Sequence, residues 1–169
     1  PEAIEISGSE YSIHSDFRTA LRIIMAFEDN ELTGMEKQHV LLANLYDEKP
    51  KDVELAFKAG LRFLNMGEEN KEDDDGPRVY SFTKDATLIF AAFRQTHGVD
   101  LATTDMHWWK FLALFMDLGS ETAFCSLVGL RRRVKTGKAT KEERRAAREM
   151  GDIFNLPEID TRSLEEREA

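Results

Sequence analysis

Residues 106–115 read MHWWKFLALF, and both tryptophans of the chain stand side by side in this one stretch. Between Trp108 and Leu118 only Lys110 and Asp117 are polar. Adjacent residues of a helix point about 100° apart, so Trp108 and Trp109 cannot share one narrow stripe. Trp108 lines up with Phe111, Leu112 and Phe115, and Trp109 with Leu112, Ala113 and Met116. A helix that is apolar nearly all round belongs at the centre of a bundle, wrapped by its neighbours. Trp108, Trp109, Phe111, Leu112 and Phe115 are therefore the expected structural core. Each buried indole N–H needs an acceptor, and His107, Asp105 or a backbone carbonyl can supply one. A base-stacking platform would need a basic groove around the rings, whereas their immediate neighbours supply only Lys110.

Outward from this segment the apolar spacing is helical in both directions. Upstream, Phe17, Leu21, Ile24 and Phe27 follow Ser15 or Asp16 as N-cap. Thr33-x-x-Glu36 forms a capping box ahead of Val40, Leu41, Leu42 and Leu45. A third helix starts near Pro50, which a first turn accepts, presents Val53, Ala56, Phe57, Leu61 and Leu64, and stops at Gly67. A fourth spans about 83–96 with Ala86, Ile89, Phe90 and Phe93 on one face. Thr103 or Thr104 caps the tryptophan helix, Ser120 caps a sixth helix carrying Phe124, Leu127, Val128 and Arg131, and Thr140-x-x-Glu143 opens a seventh. Residues 1–14 alternate apolar and polar at Ile4, Ile6, Tyr11 and Ile13, reading as extended or as a short hairpin around Gly8. The expected fold is an all-α, compact bundle of about six to seven helices with a short extended or hairpin N-terminus. It divides into an N-terminal segment (1–14), a helical domain (15–150) and a C-terminal tail (151–169) that docks on a partner or stays mobile.

With 169 residues, 41% hydrophobic and 33% charged, the chain is of a size for one domain with a proper core. The longest dense apolar run, Phe111 to Met116, is far short of the ~20 residues a membrane helix needs, so no membrane partner is expected. No charged segment leading into an apolar run opens the sequence, so no signal peptide is expected, and the natural compartment is the cytoplasm. A single cysteine, Cys125, supports neither a disulfide framework nor a zinc cluster and reads as a buried inert thiol. His97, Asp100, Asp105 and His107 match no metal-ligand spacing. A calcium loop on Gly76 fails at Lys71 and Phe82, and a phosphate loop around Gly137–Thr140 fails at Arg132 and Ala139. Nothing nominates a catalytic residue or a cofactor, and no enzyme is expected.

Charge carries the one feature above background. The net charge is −9, which disfavours nucleic acid. Glu68 to Asp75 hold six acids and one lysine, a solvated loop. From Arg131 to Arg148 nine bases face two acids, which is +7. Arg131, Arg132, Arg133, Lys135, Lys138, Arg144 and Arg145 are the expected partner-binding residues, offering an electrostatic docking surface for an acidic partner or for another copy of the chain. The bland alternative is a solvated face paired with the acidic loop.

An ordered set of segments adds a resemblance: DFRTALRI (16–23), LTGMEK (32–37), FLNMG (63–67), YSFTKDATLIFAAF (80–93), GVDL (98–101), HWWKFLALFMDL (107–118) and LVGLRRR (127–133). In this order and spacing they resemble a family of small siphophage and prophage proteins named after gene product fifteen of a phage. The likeness spans roughly Ser15 to Arg133. It implies a role in phage tail morphogenesis, as a non-enzymatic tail assembly chaperone in the host cytoplasm during virion assembly. The partners it implies are the phage tape measure protein and the tail-tube protein. The alternative is a structural head–tail or tail component retained in the virion. The resemblance brings no catalytic residue and no cofactor.

Overall fold

The computed structural model describes residues 1–69 and 76–159. Most of the acidic stretch, and the tail from residue 160 on, lie outside the described residues. The described residues are all-α apart from one N-terminal hairpin. Its elements in order are β1 (Ala3–Ile6), β2 (Ser9–Ser12), α1 (Phe17–Glu28), α2 (Gly34–Leu45), α3 (Val53–Leu64), α4 (Ala86–His97), α5 (Trp108–Met116), α6 (Ala123–Lys135) and α7 (Lys141–Met150). A short 3-10 turn, Gly151–Ile153, follows. The described residues cluster into two compact units, one holding residues 1–69 with 105–113, the other residues 76–104 with 114–158.

In the first unit β1 and β2 pair antiparallel, with Ile4 opposite Tyr11. Ser7 and Gly8 both have positive φ (51° and 76°), the geometry that a two-residue hairpin turn needs to match strand twist. The chain runs on from β2 into a bridge between Ile13 and Tyr46, and the His14 N–H donates to the Leu45 carbonyl at 2.8 Å. Phe17, Ala20 and Ile23 of α1 and Leu41 and Leu45 of α2 are buried, as are Ala56 and Phe63 of α3. Helices α2 and α3 approach closely at Gly60, where a Cβ would stand 2.5 Å from Leu41 Cδ2. The Tyr46 hydroxyl donates to the Ala56 carbonyl at 2.7 Å.

Burial pushes the Tyr46 phenol up to about 12. Its folded pKa stands above the unfolded value of 10.0. The stability it contributes is therefore complete below pH 10 and is lost as pH rises towards 12. In an alkaline titration followed by phenolate absorbance, one of the three tyrosines should ionise late and together with unfolding, and Tyr46→Phe should remove that step. Three phenols titrating together near the ordinary value would contradict this.

In the second unit, α4, α6 and α7 bury Ile89, Ala92, Phe93, Phe124, Leu127 and Ala147. Tyr80, Phe82, Phe115 and Phe124 form a ring cluster, with Tyr80 and Phe115 centroids 5.2 Å apart and those of Phe82 and Phe115 5.1 Å apart. Gly98 ends α4 in the left-handed conformation, as its position past the last periodic residue suggests.

Several caps fall as read and several do not. Asp16 accepts from the Arg18 N–H, and both capping boxes, Thr33–Glu36 and Thr140–Glu143, are formed. Helix α3 starts after Asp52, not near Pro50, because the Asp52 carboxylate accepts the Leu55 N–H. Its inward face is Ala56, Gly60 and Phe63, and Val53 faces outward. Helix α6 is capped by Thr122 instead of Ser120, its hydroxyl oxygen accepting from the Cys125 N–H at 3.2 Å. Thr103 and Thr104 sit in an Asp100 turn short of α5. Cys125 is half-buried, and its thiol donates to the Leu118 carbonyl at 3.6 Å.

Candidate functional site

The double tryptophan is a cap for another helix. The last carbonyls of any α-helix lack intrahelical donors. At the end of α3, Trp108 Nε1 donates to the Leu64 carbonyl at 2.9 Å and Trp109 Nε1 donates to the Phe63 carbonyl at 2.8 Å. Gly67, at φ +86°, turns the chain beneath Trp109, where a Cβ would lie 3.4 Å from Trp109 Cη2. The His107 ring starts α5. Its Nδ1 accepts the Trp109 N–H at 3.0 Å and its Nε2 faces the Pro1 carbonyl at 3.0 Å, so a neutral imidazole protonated on Nε2 satisfies both. The segment before it is tied to α1. Trp108 N donates to the Ser15 carbonyl at 2.7 Å and Phe17 N to the Met106 carbonyl at 2.9 Å.

The expected core is thereby corrected. Trp108 and Phe111 are buried, with Phe111 stacked between Phe17 (5.1 Å) and Trp108 (5.3 Å). Trp109, Leu112 and Phe115 are only half-buried, and Met116 is 69% exposed. Helix α5 is nine residues long; Trp108 and Phe111 are fully covered, Trp109, Leu112 and Phe115 partly, and Ala113 and Met116 are exposed.

Arg131 also departs from its expected role. It is wholly buried rather than on a docking surface. Its guanidinium makes a forked pair with Asp85, NH1 to Oδ2 at 2.7 Å and NH2 to Oδ1 at 3.0 Å. The remaining N–H groups donate to the carbonyls of Val79 (3.1 Å), Ile153 (2.8 Å) and Phe154 (2.8 Å). A buried arginine is tolerable when all its donors find acceptors. The Asp85 carboxylate also accepts the Ser81 N–H at 3.0 Å. The first residues of the expected C-terminal tail are thus tied to the helix that carries Arg131.

The other expected bases do lie on the surface. Arg132, Arg133, Lys135, Lys138, Arg144 and Arg145 are exposed, and so are Lys141 and Arg148. Arg133 Nε meets Glu143 at 2.9 Å, and Arg145 pairs with Glu149 one turn on. The Arg144 guanidinium donates to the Ala139 carbonyl and the Lys135 ammonium to the Arg78 carbonyl. The capping N–H of Thr140 and then Arg133 hold the Glu143 carboxyl below its usual range. Burial, with Arg131 and Arg78 close by, lowers the Lys135 ammonium.

A further surface went unread in the sequence. Met35, His39, Leu42, Tyr46 and Val53 line a mostly apolar groove of about 410 Å³ in the first unit, and Met35 is 82% exposed. The signal for it was the run Val40-Leu41-Leu42: three consecutive apolar residues cover more than one face of a helix, so not all of them can point inward.

The rejected metal cluster is otherwise engaged. His97 Nε2 bonds the Leu114 carbonyl at 2.8 Å, Asp100 pairs with Arg94 and Asp105 with Arg18. Among the described residues no three histidines, cysteines or carboxylates are grouped to hold a metal. No described helix is long and apolar enough to cross a membrane.

Among the described residues this helical protein exposes a basic surface on α6 and α7 and an apolar groove along α2. The family model described as bacteriophage Gp15 protein matches residues 1–156, and the chain belongs to that family. No curated protein and no solved structure matches the chain.

Proposed function

We propose that this chain is a non-enzymatic tail assembly chaperone that binds the tape measure protein of its phage and aids tail-tube polymerisation around it in the host cytoplasm. The observation that carries the reading, beside family membership, is the apolar groove along α2 with Met35 standing almost free at one end. An amphipathic helix of a client can lay its apolar face into such a groove, and a flexible methionine adapts to successive client segments. Exposed apolar surface of this kind marks an interaction site more often than an accident of folding.

Co-expression with the tape measure protein of the same phage tests this. The expected result is a soluble complex that co-purifies and is lost in the double variant Met35→Glu/Leu42→Glu, while that variant keeps the wild-type circular dichroism. An insoluble client with no complex, together with this chain detected in purified virions, would instead identify a retained head–tail or tail component.

A further inference from the structure

We propose that the basic surface of α6 and α7 docks the acidic first unit of a second copy of this chain, in a head-to-tail contact. With Arg131 buried, residues 132–148 still hold eight bases against Glu142 and Glu143, all eight exposed. Four of them, Arg132, Lys138, Lys141 and Arg148, make no side-chain hydrogen bond or ion pair with a described residue. Helix α7 turns only Ala147 fully inward, so Lys141, Arg145 and Arg148 face solvent along the opposite side. The desolvation cost of these charges has not been met inside their own chain, which leaves them available to a partner.

The complementary charge is on the same molecule. Residues 1–69 carry fourteen acids against seven bases, a net −7, and Glu5, Glu10, Asp29, Glu31 and Glu48 are exposed. A chain with a basic surface at 132–148 and an excess of acids in its first 69 residues is complementary to its own copy. Because the two faces differ, the contact is heterologous and propagates from copy to copy. Nucleic acid fits the basic surface less well. No aromatic residue lies between Arg131 and Ile153 to stack a base, and the acidic unit repels a polyanion.

The test uses the full chain alone, so it stands apart from client binding. Sedimentation velocity at about 50 mM salt should show concentration-dependent association, weakened at least tenfold at about 500 mM as the charges are screened. The variant Arg132→Glu/Lys138→Glu/Arg148→Glu should stay monomeric at low salt. Mixed with labelled wild type it should still bind, because its acidic unit is intact, and it should stop growth at short oligomers. If the triple variant does not fold, Arg132→Glu alone should weaken association several-fold. Three results would each overturn the proposal: wild type that is monomeric at low salt up to about 100 μM, association indifferent to salt or to the substitutions, or a basic surface that binds a fluorescent DNA duplex in place of the second copy.

Discussion

Arg131→Ala should lower the unfolding free energy of the protein by about 3–5 kcal/mol in a denaturant titration. The substitution removes all five donors of a buried guanidinium at once. It leaves the Asp85 carboxylate in the interior with the Ser81 N–H as its one remaining donor among the described residues. An uncompensated buried charge, not the lost attraction, dominates the cost. Asp85→Ala should be similar in size, because it strands the arginine. Arg131→Lys should recover only a part, since an ammonium cannot fork across Asp85 and also reach the carbonyls of Val79, Ile153 and Phe154. The apolar double variant Arg131→Met/Asp85→Leu should be less damaging than either alanine single variant, though not neutral, because those carbonyls still lose their donor. A change within about 0.5 kcal/mol for Arg131→Ala would mean that this site is open to water rather than buried.

Trp108→Ala should cost about 3–5 kcal/mol, the loss expected for a large buried aromatic, and so bring a protein of ordinary stability close to unfolding. Phenylalanine replacements separate the ring from its N–H. Trp108→Phe keeps most of the contact with Phe111 but leaves the Leu64 carbonyl without its donor, for about 1–3 kcal/mol. Trp109→Phe should cost less, since the ring is only half-buried. Native-state hydrogen exchange adds a sharper readout: protection should fall first at the C-terminal turn of α3, far in sequence from the substituted residue. If both phenylalanine variants were as stable as wild type, the indole N–H groups would not be capping α3 in any energetic sense.

Much of the fold was legible because the signals are local. Helical periodicity, the two capping boxes and the cap at Ser15 or Asp16 all act within one turn of chain; both boxes form, and of the two cap candidates Asp16 takes the role. The errors occur where two local candidates compete and the outcome is set elsewhere. Ser120 and Thr122 both suit an N-cap, yet Thr122 alone is buried with its hydroxyl donating to the Gly119 carbonyl. The run from Trp108 to Leu118 reads as wrapped all round because hydropathy cannot tell a face covered by the chain itself from one left open. The candidate sites divide the same way. A density of bases at 131–148 is visible from composition, whereas the groove beside α2 needs Leu41 and Leu45 turned in towards Gly60 before Leu42 and Met35 are known to point out.

By itself, then, the sequence determined an all-α bundle of about six to seven helices with an extended or hairpin N-terminus, and the charge contrast between the net −9 of the chain and its basic 131–148 segment. Those properties follow from spacing, caps and composition, which need no partner from distant sequence. Only the tertiary structure decided that Arg131 belongs inside and its neighbours outside, because a charged side chain is buried only where a complementary carboxylate and free carbonyls converge from residues 79–85 and 153–154. Only it decided, too, that the paired indoles close the end of α3. A helix leaves its last carbonyls unsatisfied wherever it stops, and which side chain reaches them depends on where the fold brings the chain back.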